Sequence, residues 1–231
     1  MIQPTRTPST GGYSKNKIAP GVYPARLYKI TYLGTSDTGF KNTDGTPVVQ
    51  NRIFFTFEIP SLKADFNGEM KPLVISSPDI NFSFYIPKSG SRTPTLNTYI
   101  EALLGRQITD EDVGTLDINN LNGNACLIKV IDNKGYPKVE TVMPLMYGQV
   151  VEAAINFPQI FDWAENFNLA VFDKMPEFIQ KKIKAGREYR KYFDEAFRAK
   201  IAELAEERKA LGQPYDESAI ADSVNPEDIP F

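Results

Sequence analysis

The sequence predicts a mainly β domain followed by C-terminal helices, an α+β chain whose body is a five-stranded Greek-key barrel with a helix between its third and fourth strands. Three observations carry this reading. Between residues 21 and 86, aromatic and β-branched residues alternate with polar ones, the period of a half-buried strand. One helical repeat interrupts near residues 93–105 before strand periodicity returns. After residue 150 the pattern turns helical.

Residues 1–20, rich in Pro, Thr, Ser and Gly, read as a flexible basic arm, either a plain leader or a clamp on a bound strand. The first strand is "GVYPARLYKITYLG" (21–34), closed by Gly34. Residues 35–51 read as a long polar loop with turn signals at Thr38-Gly39 and Asp44-Gly45. In "RIFFTFEI" (52–59), Ile53, Phe55, Phe57 and Ile59 share one face, and Arg52, Phe54, Thr56 and Glu58 the other. A turn-rich stretch leads to "INFSFYI" (80–86), the expected third strand.

A helix follows, with Thr93 as its cap, Pro94 in its first turn and Gly105 at its end. Leu96, Ile100, Leu103 and Leu104 form its apolar stripe. Residues 108–113 start a second short helical turn. "ACLIKVI" (125–131) and "YPKVETVMPL" (136–145) are hairpin partners across the turn "DNKG" (132–135). Three strands, a helix and two strands are the element order of the OB-fold, assigned to residues 21–150.

Residues 151–212 read as a helical extension. Pro176 opens one helix, and Asp194 caps a second whose stripe is Phe197, Ile201, Leu204, Arg208 and Leu211. Docking on the barrel or on a second subunit is favoured over a coiled-coil dimer. Gly212 and Pro214 end this region, and residues 213–231 read as a disordered acidic tail.

Composition narrows the chemistry. The chain has no histidine and a single cysteine, Cys126, which excludes imidazole catalysis, His metal ligands, an intrachain disulfide and cysteine metal clusters. No phosphate-cradling glycine loop occurs. Pro78-Asp79 with Asp132-Asn133-Lys134 imitates a metal-nuclease signature, but a hairpin turn explains the second element better. The chain is therefore expected to be no enzyme and to need no cofactor or metal. No apolar run reaches the length of a membrane span, and the N-terminus lacks a signal-peptide core, so a soluble protein without a membrane partner is expected.

The net charge of −3 hides an asymmetry. Residues 1–36 carry Arg6, Lys15, Lys17, Arg26 and Lys29 and no acid, whereas residues 213–231 carry Asp216, Glu217, Asp222, Glu227 and Asp228 and no base. A polyanion at one end, and a basic partner or self-masking at the other, fit this pattern.

Bases interleaved with aromatics on the strands point to single-stranded nucleic acid: Arg26, Tyr28, Lys29 and Tyr32; Arg52 and Phe54; Tyr85 and Lys88; Lys129; and Lys134, Tyr136 and Lys138 near the last turn. Lysine and arginine meet phosphates, and each base stacked on a ring is worth about 1–3 kcal/mol without sequence readout. Phe54 has two readings, stacking on a base or packing under the C-terminal helices. Phe55, Phe57, Phe82 and Phe84 read as barrel core. Phe40 and Lys41 lie in the first loop, which in OB-folds flanks the binding groove together with the last hairpin.

The chain ends Asp228-Ile229-Pro230-Phe231, which resembles the C-terminal tip of bacterial single-stranded DNA-binding proteins, although its acidic run is thinner. The body resembles phage-encoded single-stranded DNA-binding proteins with one OB-fold. That likeness rests on "GVYPARLYKITYLG", "RIFFTFEI", "FYIPKSGSRTPTLNTYIEALLGRQIT", "LNGNACLIKV" and "FDKMPEFIQKKIKAGREY". The resemblance implies sequence-independent binding and protection of single-stranded DNA in phage replication, recombination and repair. It places the protein in the cytoplasm of an infected bacterium, allows a homo-oligomer or a filament on DNA, and gives the tip to replication or recombination partners. The rival readings are a strand-annealing recombinase and a replication adaptor that does not bind DNA.

Overall fold

A computed structural model describes residues 18–162 and 169–210. Most of the predicted N-terminal arm, and the whole acidic tail with Asp228, Ile229, Pro230 and Phe231, lie outside the described residues. The elements are β1 (Gly21–Lys41), β2 (Pro47–Phe66), β3 (Glu69–Ser76), β4 (Ile80–Asn81), α1 (Thr95–Leu104), α2 (Asp110–Thr115), a 3-10 turn (Ile118–Leu121), β5 (Ala125–Asn133), β6 (Tyr136–Met143), β7 (Gln159–Phe161), α3 (Leu169–Asp173), α4 (Glu177–Lys184) and α5 (Arg187–Ala210). The strands form one antiparallel sheet in the order β3-β2-β1-β5-β6, with β4 on β2 and β7 on β1. The end strands β3 and β6 touch, so the sheet is curled. With α1 between β3 and β5 in the chain and helices at the C-terminal end, this mixed α+β fold is consistent with an OB-fold-like topology.

The third long strand is β3, not residues 80–86. Asn67 and Gly68 both adopt positive φ (58° and 87°) and make the two-residue turn that folds β3 back on β2. The register shifts between Ile59 and Lys63, beside Pro72, where a residue without an N–H fits best. Of 80–86 only Ile80 and Asn81 pair, with Ile53 and Arg52. The polar stretch 35–51 is not a long loop either: β1 and β2 continue through it as a ribbon, leaving only residues 42–46 to turn. Its polarity reports exposure on both faces, not irregular backbone.

Gly105 ends α1 in the left-handed conformation, as the sequence suggests, but the N-cap is Pro94 and no side chain caps the helix. Thr109 and Asp112 form a capping box at α2. The helix break after residue 176 falls at Ala185-Gly186, not at Asp194, which lies within α5. A Cβ on Gly186 would sit 3.0 Å from the Leu33 carbonyl oxygen and 3.1 Å from that of Ile183, so any other residue would have to push this backbone back by a few tenths of an ångström. Phe197, Ile201, Leu204 and Arg208 fall within α5, and Leu211 lies outside the described residues.

The chain divides into two compact units. The first comprises the chain to Ile30, Phe55–Pro78 and Phe84–Gln159; the second comprises Thr31–Phe54, Asp79–Ser83 and the chain from Ile160. In the first unit, Leu27, Phe55, Phe57, Ile59, Ile100 and Ile128 are fully buried. The Tyr99 ring lies 5.6 Å from that of Phe55 and 6.3 Å from that of Phe57. Burial pushes the Cys126 thiol up to about 12, which leaves it a packing group at neutral pH.

In the second unit, Leu33 and Phe54 from the ribbon pack with Phe161, Phe172, Met175, Ile179 and Ile183. Glu188 at the start of α5 accepts hydrogen bonds from the Thr35 amide (2.6 Å) and hydroxyl (2.5 Å). Burial raises its pKa, but these bonds outweigh burial and leave it below the usual glutamate value. A depressed carboxyl stabilises the fold above its unfolded pKa and loses that contribution as pH falls through the folded value. Glu188→Gln should therefore be less stable than wild type at pH 7, and the gap should close on acidification below the ordinary value of 4.5. Urea midpoints across that range test this; a gap independent of pH contradicts it.

Candidate nucleic-acid interface

The clearest candidate surface lies in the first unit, on the β5–β6 hairpin. Asp132 closes its turn by accepting from the Gly135 amide at 2.8 Å, while Lys134 and Gly135 take positive φ (55° and 88°). That accounts for the Asp-Asn-Lys run as a turn. Register sets Asn133 opposite Tyr136, Ile131 opposite Lys138, and Lys129 opposite Thr141, with a shift between Lys129 and Val130. Directly opposed residues share a face. Lys129, Tyr136 and Lys138 therefore project from the same side, and Val22 of β1, opposite Lys129, joins them.

Tyr136 is 72% exposed, and Lys129, Lys134 and Lys138 are exposed. Alternate strand residues stand about 7 Å apart, which spaces a ring and two cations along one track. Lys129 reaches Glu140 at 2.6 Å, but both groups are open to water, where such a pair contributes about 0–1 kcal/mol and yields readily to a phosphate.

Further along β1, Arg26 stands on the same side as Val22 and holds a strap, residues 151–156. Arg26 donates from Nε to the Glu152 carbonyl (2.6 Å), and from its terminal nitrogens to the carbonyls of Gly123 (3.0 Å) and Val151 (2.9 Å). Glu58, fully buried, accepts from the Ile155 amide (2.7 Å) and from the Asn156 amide (2.8 Å) and side chain (2.6 Å). The structure thus gives Arg26 the task of a clamp in place of an open phosphate contact. Tyr28 is half-buried, its hydroxyl pKa raised by burial and then by the charge of Glu58. Lys29 is also half-buried, its pKa lowered by burial. Tyr85 (48% exposed) and Lys88 lie on the loop before α1.

The second unit holds the remaining predicted residues. Phe54 is 4% exposed beneath α4, with its ring 6.3 Å from that of Phe178, so the packing alternative is the one realised. Phe82, expected in the core, is 37% exposed and meets Tyr32 edge-on at 5.6 Å. Arg52 lies 3.5 Å from Asp79, which also binds Lys182 at 2.5 and 2.6 Å. Two cations thus share one carboxylate and leave one positive charge in excess. The Arg52 Nε is buried without an acceptor, and the Lys182 ammonium stands 5.7 Å from the Phe54 ring centroid. Lys182 was missed because nothing in "QKKIKAG" separates it from its neighbours; its partner is 103 positions away. Phe40 is 75% exposed near the end of β1.

Comparison with protein-family models, curated proteins and solved structures finds no match. A curled sheet of this kind is compatible with OB-fold nucleic-acid-binding proteins in general. Among the described residues, no helix is long and apolar enough to cross a membrane.

The clamp and the open track respond differently to substitution. Arg26→Ala and Glu58→Ala each strand partly buried backbone groups and should cost about 1–3 kcal/mol in urea denaturation. Tyr136→Ala and Lys138→Ala should stay within about 0.5 kcal/mol of wild type. Equal losses in both pairs would show that the exposed face is part of the stability core.

Proposed function

We propose that this chain binds and protects single-stranded DNA without reading its sequence, as a non-catalytic protein of phage replication, recombination and repair, and that its C-terminal tip recruits partner proteins. The observation that carries the reading is the open track of Lys129, Tyr136 and Lys138 on a curled sheet, beside the strap that Arg26 and Glu58 hold. A single strand matches such a surface: its phosphates pair with ammonium groups and its unstacked bases lie on the tyrosine. Lys134 and Lys88 add cations on loops, and in the second unit Arg52 and Lys182 offer a further anion site next to the Tyr32–Phe82 ring pair. The likeness to phage single-stranded DNA-binding proteins and to the bacterial tip supports the same reading. The domain assignment (OB-fold body 21–150, helical extension 151–212, acidic tail 213–231) is part of this proposal.

Titration of a dT oligomer and a duplex at 50 and 200 mM salt tests it. The single strand should bind tighter. If Lys88, Lys129, Lys134 and Lys138 neutralise four phosphates, affinity should fall roughly 50-fold across that range, since each phosphate contributes a slope of about −0.7. Duplex binding as tight as single-strand binding, or no salt effect, contradicts the reading.

Phe231→Ala should leave dT affinity unchanged and abolish capture of a replication partner from infected-cell extract. Unaltered capture refutes the role of the tip.

A further inference from the structure

Residues 146–157, in the first unit, hold five large apolar side chains in water: Met146 (68% exposed), Tyr147 (108%), Val150 (87%), Ile155 (49%) and Phe157 (86%). Apolar residues scattered singly over a surface are ordinary, but a run this dense marks an interaction site. Charge is scarce in the same stretch. Residues 141–161 contain one charged side chain, Glu152, in a chain that is 24% charged.

The backbone beneath these side chains is held. The Gln149 amide donates to the Met146 carbonyl (3.0 Å), and the Met146 amide donates to Gln149 Oε1 (3.3 Å). Gly148 supplies the positive φ (77°) of this turn, with Tyr147 at its tip. The strap follows, fixed by Arg26 at Val151 and Glu152 and by Glu58 at Ile155 and Asn156. Val74 of β3 extends the surface onto the sheet. It stands opposite Glu58, so it shares the face on which Glu58 holds the strap, and it is 44% exposed. Apolar side chains on a fixed backbone lose little freedom when a partner covers them.

We propose that this surface pairs two copies of the chain about a twofold axis, each presenting the same residues to the other. The inference goes beyond strand binding and does not rest on it. Charge selects the occupant. A nucleic acid would find no phosphate partner here, because no lysine or arginine occurs between Lys138 and Lys174. The acidic tail would find no base for the same reason. A nearly uncharged apolar surface meets its own copy without like-charge repulsion, and an isologous pair is the commonest assembly of identical chains. The area is sufficient as well. Tyr147 and Phe157 offer roughly 300–500 Å² between them, and Met146, Val150, Ile155 and Val74 bring the total near the roughly 800 Å² that each partner of a stable interface buries.

Sedimentation equilibrium of the full chain without DNA tests the pairing, with wild type, Tyr147→Ser, Phe157→Ser and, as a control from the second unit, Phe40→Ser. All three side chains are exposed, so the core is left intact. With rising concentration the wild-type mass should approach twice 25.9 kDa, and raised salt should not reverse this. Truncating a central aromatic weakens an interface roughly 30-fold, and twofold symmetry counts each substitution twice, so Tyr147→Ser and Phe157→Ser should each weaken the pair by a factor on the order of 10³. Phe40→Ser should pair as wild type does. A wild type that stays at 25.9 kDa, or a pair that survives both substitutions, overturns the proposal. A mass that climbs past twice that of one chain overturns the closed twofold pair. A monomeric wild type that loses dT affinity on Tyr147→Ser gives the surface to bases, which overturns the pairing and leaves strand binding standing.

Discussion

Arg26 and Glu58 hold the same strap with opposite charges. The guanidinium takes carbonyls at Val151 and Glu152, and the carboxylate takes amides at Ile155 and Asn156. A fully buried glutamate is expensive unless its oxygens are occupied, and here backbone and side-chain N–H groups occupy them. The irregular strap, for its part, gains hydrogen-bond partners it could not find within itself. Along the hairpin, where no clamp operates, Lys129, Tyr136 and Lys138 stay in water. The separation of a held strap from an open track follows from where these two charges stand.

The second unit uses apolar contacts and glycine instead. The outer halves of β1 and β2 form a ribbon that would be too exposed to persist by itself. Phe161, Phe172, Met175, Ile179 and Ile183 cover Leu33 and Phe54 on it, and Gly186 lets the helix region approach the Leu33 carbonyl. Arg187 adds a surface pair with Asp37 at 2.6 Å, and Glu188 ties down Thr35. This cover turns Phe54 from a potential stacking ring into a core residue, and brings Lys182 beside Arg52.

Local pattern made part of this legible. The strand at residues 52–59, the stop at Gly105 and the Asp132–Gly135 turn each depend on neighbours in sequence and occur where expected, although residues 53–60 are buried on both faces of the strand and not on the apolar face alone. Strand β3 was hidden because it carries Pro72 and alternates weakly, and the 35–41 and 47–51 segments because exposed ribbons look like loops. Glu58 lay on the polar face of its strand, as read, but nothing in the sequence announced a partner nearly a hundred residues later. The functions of Arg26, Phe54 and Lys182 are set by such distant contacts. Phe82 was assigned to the core on its alternation with Asn81 and Ser83, yet the strand ends at Asn81 and releases the ring to the surface.

The central claim is that the uncovered hairpin face, not the clamped one, meets the strand. Amide chemical-shift mapping of the full chain with a short dT oligomer tests it most directly. The account predicts that the largest changes fall at Lys129, Ile131, Tyr136 and Lys138, with Ile155 and Asn156 unmoved. Changes concentrated at Ile155, Asn156 and the residues around Arg26, with the hairpin silent, would contradict it.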